Sequence, residues 1–141
     1  MAEILSIVIS SGLIAAIVSS SMTYFFNKDL EVDRRTMEKR KELYTQISNQ
    51  LAFFISTVSE EESDHARDNL LLYYREAQIW GSDEVARSFK ELLDVMADKQ
   101  SLVEERNIKY KSLILAMRQD ILSKTTLTAE EIDIRGIVSK A

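Results

Sequence analysis

The chain contains no cysteine and no proline, only three glycines, one histidine and one tryptophan. Without cysteine there are no disulfides, thiolate metal sites or cysteine nucleophiles. A single histidine, His65, excludes multi-histidine metal centres and leaves any serine triad one candidate base. Gly12, Gly81 and Gly136 stand too far apart for the glycine-rich loops that bring backbone amides to a phosphate, so the classical nucleotide sites are out. Missing proline and scarce glycine leave long helices uninterrupted and give β-turns few residues to work with. No stretch of four to eight residues alternates apolar with polar, and no sheet is expected. Positive charge is also in deficit: 18 basic against 23 acidic residues oppose any polyanion binding through bulk charge. Glu60, Glu61, Glu62 and Asp64 could gather a hard cation, but their spacing matches no calcium loop, and acids at a helix start complement its dipole. No catalytic set, cofactor site or metal site is therefore expected, and the chain does not read as an enzyme.

What is present is one long uncharged run. From Ile4 to Phe26, ILSIVISSGLIAAIVSSSMTYFF holds 23 residues without a charge. At a helical rise this spans roughly 35 Å, enough to cross about 30 Å of hydrocarbon with some tilt. A cleaved signal peptide would carry early basic residues, whereas the only early charge is Glu3. Tyr24, Phe25 and Phe26 fall where an aromatic belt would lie. Lys28, Arg34, Arg35, Lys39, Arg40 and Lys41 crowd the far side, which predicts a plasma (inner) membrane protein with its N-terminus outside and its C-terminal part cytoplasmic. Acidic residues interleaved there weaken any claim to strong anionic-lipid binding.

On a helical wheel Gly12, Ala15, Ala16, Ser19, Ser20 and Thr23 share one broad side with Ser11, while Ile7, Ile14, Ile17, Val18 and Phe25 gather on another. Small residues three and four apart let helix backbones approach, so this side is expected to form a helix contact or to face a shared pore in a homo-oligomer. The alternative is that the hydroxyls bond their own preceding carbonyls and face lipid. One helix per chain cannot enclose a pathway, and any pore needs several copies.

The expected organisation is an N-terminal tip and transmembrane helix over 1–26, a charged helical stalk over 27–42, and a cytoplasmic helical bundle over 43–141. Tyr44, Ile47, Leu51, Phe54 and Val58 recur at helical spacing, and Leu30, Met37, Tyr44, Leu51 and Val58 keep an interval of seven, so one helix should reach Val58. Ser59 with Glu62 reads as a capping box for a second helix, with Ala66, Leu70, Tyr73, Tyr74 and Ala77 inward and its end at Trp80 and Gly81. Ser82, Asp83 and Glu84 start a third helix, with Val85, Phe89, Leu92, Leu93 and Met96 inward. A fourth begins between Asp98 and Leu102 and turns Val103, Tyr110, Ile114, Met117 and Ile121 to the core. After a polar connector over 122–127, Thr128 and Glu131 form a capping box for a short helix ending near Gly136. The fold class is all-α: an antiparallel bundle on a membrane stalk.

Two surfaces invite a ligand or partner. Arg106, Lys109, Lys111 and Arg118 make a basic side around Tyr110, suited to a phosphate-bearing ligand or a nucleic-acid segment, or else a solvated face paired with Glu104, Glu105 and Asp120. Trp80, with Tyr73 and Tyr74, would line a pocket or, by helical spacing, cap the bundle core.

Two passages, YREAQIWGSDEVARSF over 74–89 and AMRQDI over 116–121, carry a resemblance. The chain resembles a loose, largely uncharacterised group of small bacterial and phage-borne single-pass membrane proteins with an N-terminal anchor, a "W(G/A)SDEV" helix junction and a late "MRxDL" motif. It departs from the last at Ile121. The resemblance covers nearly the whole length and implies the architecture above, with Ser82 as a cap, Gly81 in the left-handed conformation, Arg118 and Asp120 in ion pairs with neighbouring helices or chains, and Met117 packed inward. By analogy, similar small anchored proteins also occur as effectors of bacterial antiviral systems, where membrane permeabilisation is a common outcome. The expected function is thus a homo-oligomeric channel or membrane-disrupting effector controlled by its cytoplasmic bundle. The alternative is a membrane-anchored adaptor that tethers a cytoplasmic partner through that bundle.

Overall fold

The computed structural model describes the backbone over 2–56, 60–98 and 100–133, and the side chains over 12–52, 64–98 and 100–133. Within these residues the chain is all-helical, with no strand: α1 (Ala2–Ser56), α2 (Glu60–Trp80), α3 (Asp83–Ala97) and α4 (Val103–Leu122). The chain divides into two compact units, Met1–Met37 and Glu38–Ala141.

In the first unit every described side chain from Gly12 to Arg35 is exposed, including Leu13, Ile14, Ile17, Val18, Met22, Tyr24, Phe25 and Phe26. Hydroxyls here turn back on the helix: Ser20 Oγ donates to the Ala16 carbonyl at 2.8 Å and Thr23 Oγ1 to that of Ser19 at 2.9 Å. Glu31 and Arg35 pair one turn apart. Among the described residues no helix is long and apolar enough to cross a membrane. The side chains of 4–11, which would open the expected span, lie outside the described residues.

The second unit owes its core to the helical stripes read from the sequence. Leu43, Tyr44, Ile47 and Leu51 of α1 join Leu70 and Ala77 of α2, Val85, Phe89 and Leu92 of α3, and Tyr110, Leu113, Ala116 and Met117 of α4. Helix α3 packs on both α2 and α4. It is short but strongly two-sided, and Phe89, wholly buried, meets the Tyr74 ring edge-on with centroids 5.5 Å apart. Burial of one such side chain stabilises by about 2–3 kcal/mol. Ser82 caps α3 as expected: its backbone is extended and its Oγ accepts the Val85 N–H at 3.4 Å, with Asp83 and Glu84 in the first turn.

Several expectations are corrected. Val103 is 71% exposed although it lies on the same side of α4 as Tyr110. The helix starts there, after Leu102, whose side chain makes no capping bond, and Val103, Glu104 and Glu105 of this first turn are exposed. Trp80 is not a core aromatic: it is 43% exposed beside an exposed Ile79. Gly81 does not adopt a left-handed backbone, since no described glycine has a positive φ. At the C-terminal side the Thr128 N–H donates to the Glu131 carboxylate at 2.7 Å, one half of the expected capping box. A turn over 129–131 follows, and the remainder of the expected short helix lies outside the described residues. So do Val58 and Ser59, and the side chains of Phe54 and Glu62.

Candidate functional site

The two passages that carry the resemblance come together at one polar cluster in the second unit, around Arg40 and Tyr44 of α1. These stand four residues apart, hence on one face of the helix. The Asp120 carboxylate receives both: Oδ1 accepts from Arg40 Nη1 at 2.9 Å and Oδ2 from the Tyr44 hydroxyl at 2.5 Å. Arg40 Nε donates to the Trp80 carbonyl at 2.6 Å, satisfying an acceptor that the end of α2 leaves open. The Tyr44 oxygen in turn accepts the Ser82 N–H at 3.3 Å. Asp120 is only 10% exposed and Arg40 26%.

Gly81 completes the cluster through its lack of a side chain. Its N–H donates to the Ala77 carbonyl at 2.9 Å. A Cβ there would lie 2.7 Å from that carbonyl oxygen and 3.3 Å from the Tyr44 hydroxyl. Close approach, not left-handed backbone, is what this position requires of glycine. Thus the Trp80 carbonyl, Gly81 and Ser82 from one motif and Asp120 from the other all meet Arg40 or Tyr44. Asp120 forms the interhelix pair that the resemblance implies, and Met117 is buried as expected.

Electrostatically the cluster holds its protons in place. Burial, and then the bond to Asp120, raise the Tyr44 pKa far above the usual phenol range. A phenol that stays protonated and a carboxylate that accepts from it and from a guanidinium make a tie between helices. All buried side-chain polar atoms among the described residues have partners, the condition under which such a network fixes one arrangement.

The basic residues of α4 do not form one patch. Lys109 Nζ reaches Glu91 of α3 at 2.8 Å and, by that bond and its charge, lowers the Glu91 pKa. Lys111 Nζ lies 3.4 Å from the Glu130 carbonyl. Arg106 donates to Ser101 Oγ at 2.7 Å and to the Asp98 carbonyl at 3.3 Å. Arg118 Nε donates to Thr125 Oγ1 at 3.0 Å. Four cations thus address four different segments. Gly12, Ala15, Ala16, Ser19, Ser20 and Thr23 are all exposed on α1. Among the described residues no group of three His, Asp or Glu side chains is placed to hold a metal ion.

Sequence reasoning missed Arg40 and Tyr44 as the meeting point. Arg40 sits in a charge-dense run that reads as solvated stalk, and its partner Asp120 is 80 residues away. Comparison with protein families, with curated proteins and with solved structures gives no match to the chain.

Proposed function

We propose that the chain is a single-pass membrane protein that self-assembles through α1 and permeabilises the membrane as a homo-oligomer, under control of its cytoplasmic bundle. The observation that carries this reading is the exposure of the uncharged run from Gly12 to Phe26 around the whole helix. Eight large apolar or aromatic side chains lie in it, and moving them from water to an apolar medium is worth on the order of 10 kcal/mol. The sequence extends the run back to Ile4 without a charge. The small-residue side supplies a surface on which copies can approach. The antiviral setting rests on the resemblance alone.

A second reading, an anchored adaptor, is favoured by the outward-facing Leu72, Ile79 and Trp80 on α2. Oligomer number separates the two. Full-length protein in lipid nanodiscs, sized by native mass spectrometry and assayed for conductance in planar bilayers, should form rings of four or more that conduct. A non-conducting monomer or dimer would move the assignment to the adaptor.

A further inference from the structure

A second site lies at the C-terminal end of α4, away from the Asp120 cluster. Ser123 ends the helix with φ 58°, the one positive φ among the described non-glycine residues, and its N–H caps the Gln119 carbonyl at 2.9 Å. This turn folds the connector back over the last turn of α4 and leaves a concave cavity of about 570 Å3, within the size range of small-ligand sites. Arg118, Gln119, Ser123, Lys124, Thr125 and Thr126 supply its polar lining and Leu127 an apolar wall, and no carboxylate is among the lining residues.

The hydrogen bonds there leave donors to spare. Thr125 Oγ1 accepts twice, from Arg118 Nε at 3.0 Å and from the Leu127 N–H at 3.2 Å. Its own O–H is therefore left to donate. The same bond fixes the plane of the Arg118 guanidinium, whose terminal N–H groups make no hydrogen bond among the described residues. Lys124 makes no ion pair among the described residues. Asp120, the nearest acid in sequence, is engaged by Arg40 and Tyr44. The helix end opposes an anion with about half a negative charge, but the Ser123 N–H caps one of its carbonyls and two full cations outweigh the rest. Two cations, three hydroxyls and no acid, in a chain of net charge −5, select an oxyanion that can accept several hydrogen bonds at once.

We propose that this cavity binds a phosphate monoester, with Arg118 as the fork, Lys124 as the second charge and Thr125 as a hydroxyl donor. The phosphate can be carried by a soluble ligand or by a lipid headgroup, and the site depends only on the second unit, not on the membrane reading.

The test uses amide-labelled full-length protein in phosphatidylcholine nanodiscs, titrated with phenyl phosphate at low salt. The amide signals of Lys124, Thr125 and Thr126 should move saturably. Arg118→Gln and Lys124→Gln should each weaken binding about tenfold, the scale of one charge-assisted bond, and Lys90→Gln on α3 should not. Arg118→Lys, which keeps the charge but not the fork, should fall between wild type and Arg118→Gln. Phosphatidic acid placed in the disc moves the same signals without phenyl phosphate if the source is lipid, and leaves them in place if the source is soluble. No movement with either probe, or unchanged affinity in Arg118→Gln, overturns the site. Phosphate binding by protein that fails to enter nanodiscs would keep this site and overturn the membrane reading.

Discussion

The Tyr44 hydroxyl stands 3.3 Å from where a Cβ on Gly81 would lie, and the same Cβ would meet the Ala77 carbonyl oxygen at 2.7 Å. The carbonyl belongs to the last turn of α2 and cannot swing aside as a side-chain end can. Gly81→Ala should therefore destabilise the Glu38–Ala141 unit by about 1–3 kcal/mol, the cost of overpacking a fitted site. Urea unfolding followed by circular dichroism measures it, and an alanine variant as stable as wild type would mean the junction is looser than described.

Tyr44 and Asp120 should be energetically coupled. Tyr44→Phe leaves the Ser82 N–H and one carboxylate oxygen short of a partner, at a cost of about 1–3 kcal/mol. Asp120→Asn weakens the bond to Arg40, which is partly open to water, so its cost should be similar and below that of breaking a fully buried pair. In a double-mutant cycle the two changes should be non-additive by about 0.5–3 kcal/mol. Additive effects would show that phenol and carboxylate act separately.

The α2–α3 junction was legible from sequence because its signals are local: a glycine after the helix, a serine cap, two acids in the first turn. Inner stripes such as Leu70 with Ala77, and Val85 with Phe89 and Leu92, were legible because burial follows helical period. The start of α4 was not, since Leu102 makes no side-chain cap and Val103 keeps the period of the stripe beyond the point where anything covers it. The Arg40–Asp120 pair was hidden because it depends on tertiary register. The contact between Trp80 and Arg40 was hidden because the Trp80 carbonyl makes it, and a backbone acceptor has no signature in residue type.

The raised Tyr44 pKa sets an alkaline limit. A group whose folded pKa lies above its unfolded value, about 10 for tyrosine, contributes stability that is complete below that pH and is lost as pH climbs toward the folded value. Stability owed to this hydroxyl should stay level from neutral pH to about 10 and fall above it. Tyrosinate absorbance should place Tyr44 among the last of the five tyrosines to ionise. Tyr44→Phe should remove part of that late signal and flatten the alkaline loss. A single tyrosinate transition near the ordinary value would contradict the burial of this hydroxyl.

On the membrane reading, the sided set in α1 makes the sharpest demand. Among the described residues a Cβ placed on Gly12 meets nothing within 4 Å, so no described neighbour clashes with a side chain begun there. Any loss of assembly in Gly12→Ile must then arise between copies, where the branched side chain holds backbones apart. Ala16→Ile should act likewise, while Val18→Leu, on the side expected to face lipid, should leave the oligomer intact. The hydroxyls of Ser20 and Thr23 already bond carbonyls of their own helix, so Ser20→Ala should reduce assembly far less than either isoleucine. Native mass spectrometry of the four variants in nanodiscs reads the outcome. Wild-type copy number in Gly12→Ile and Ala16→Ile alike would leave the small-residue side without a role, and α1 as an anchor only.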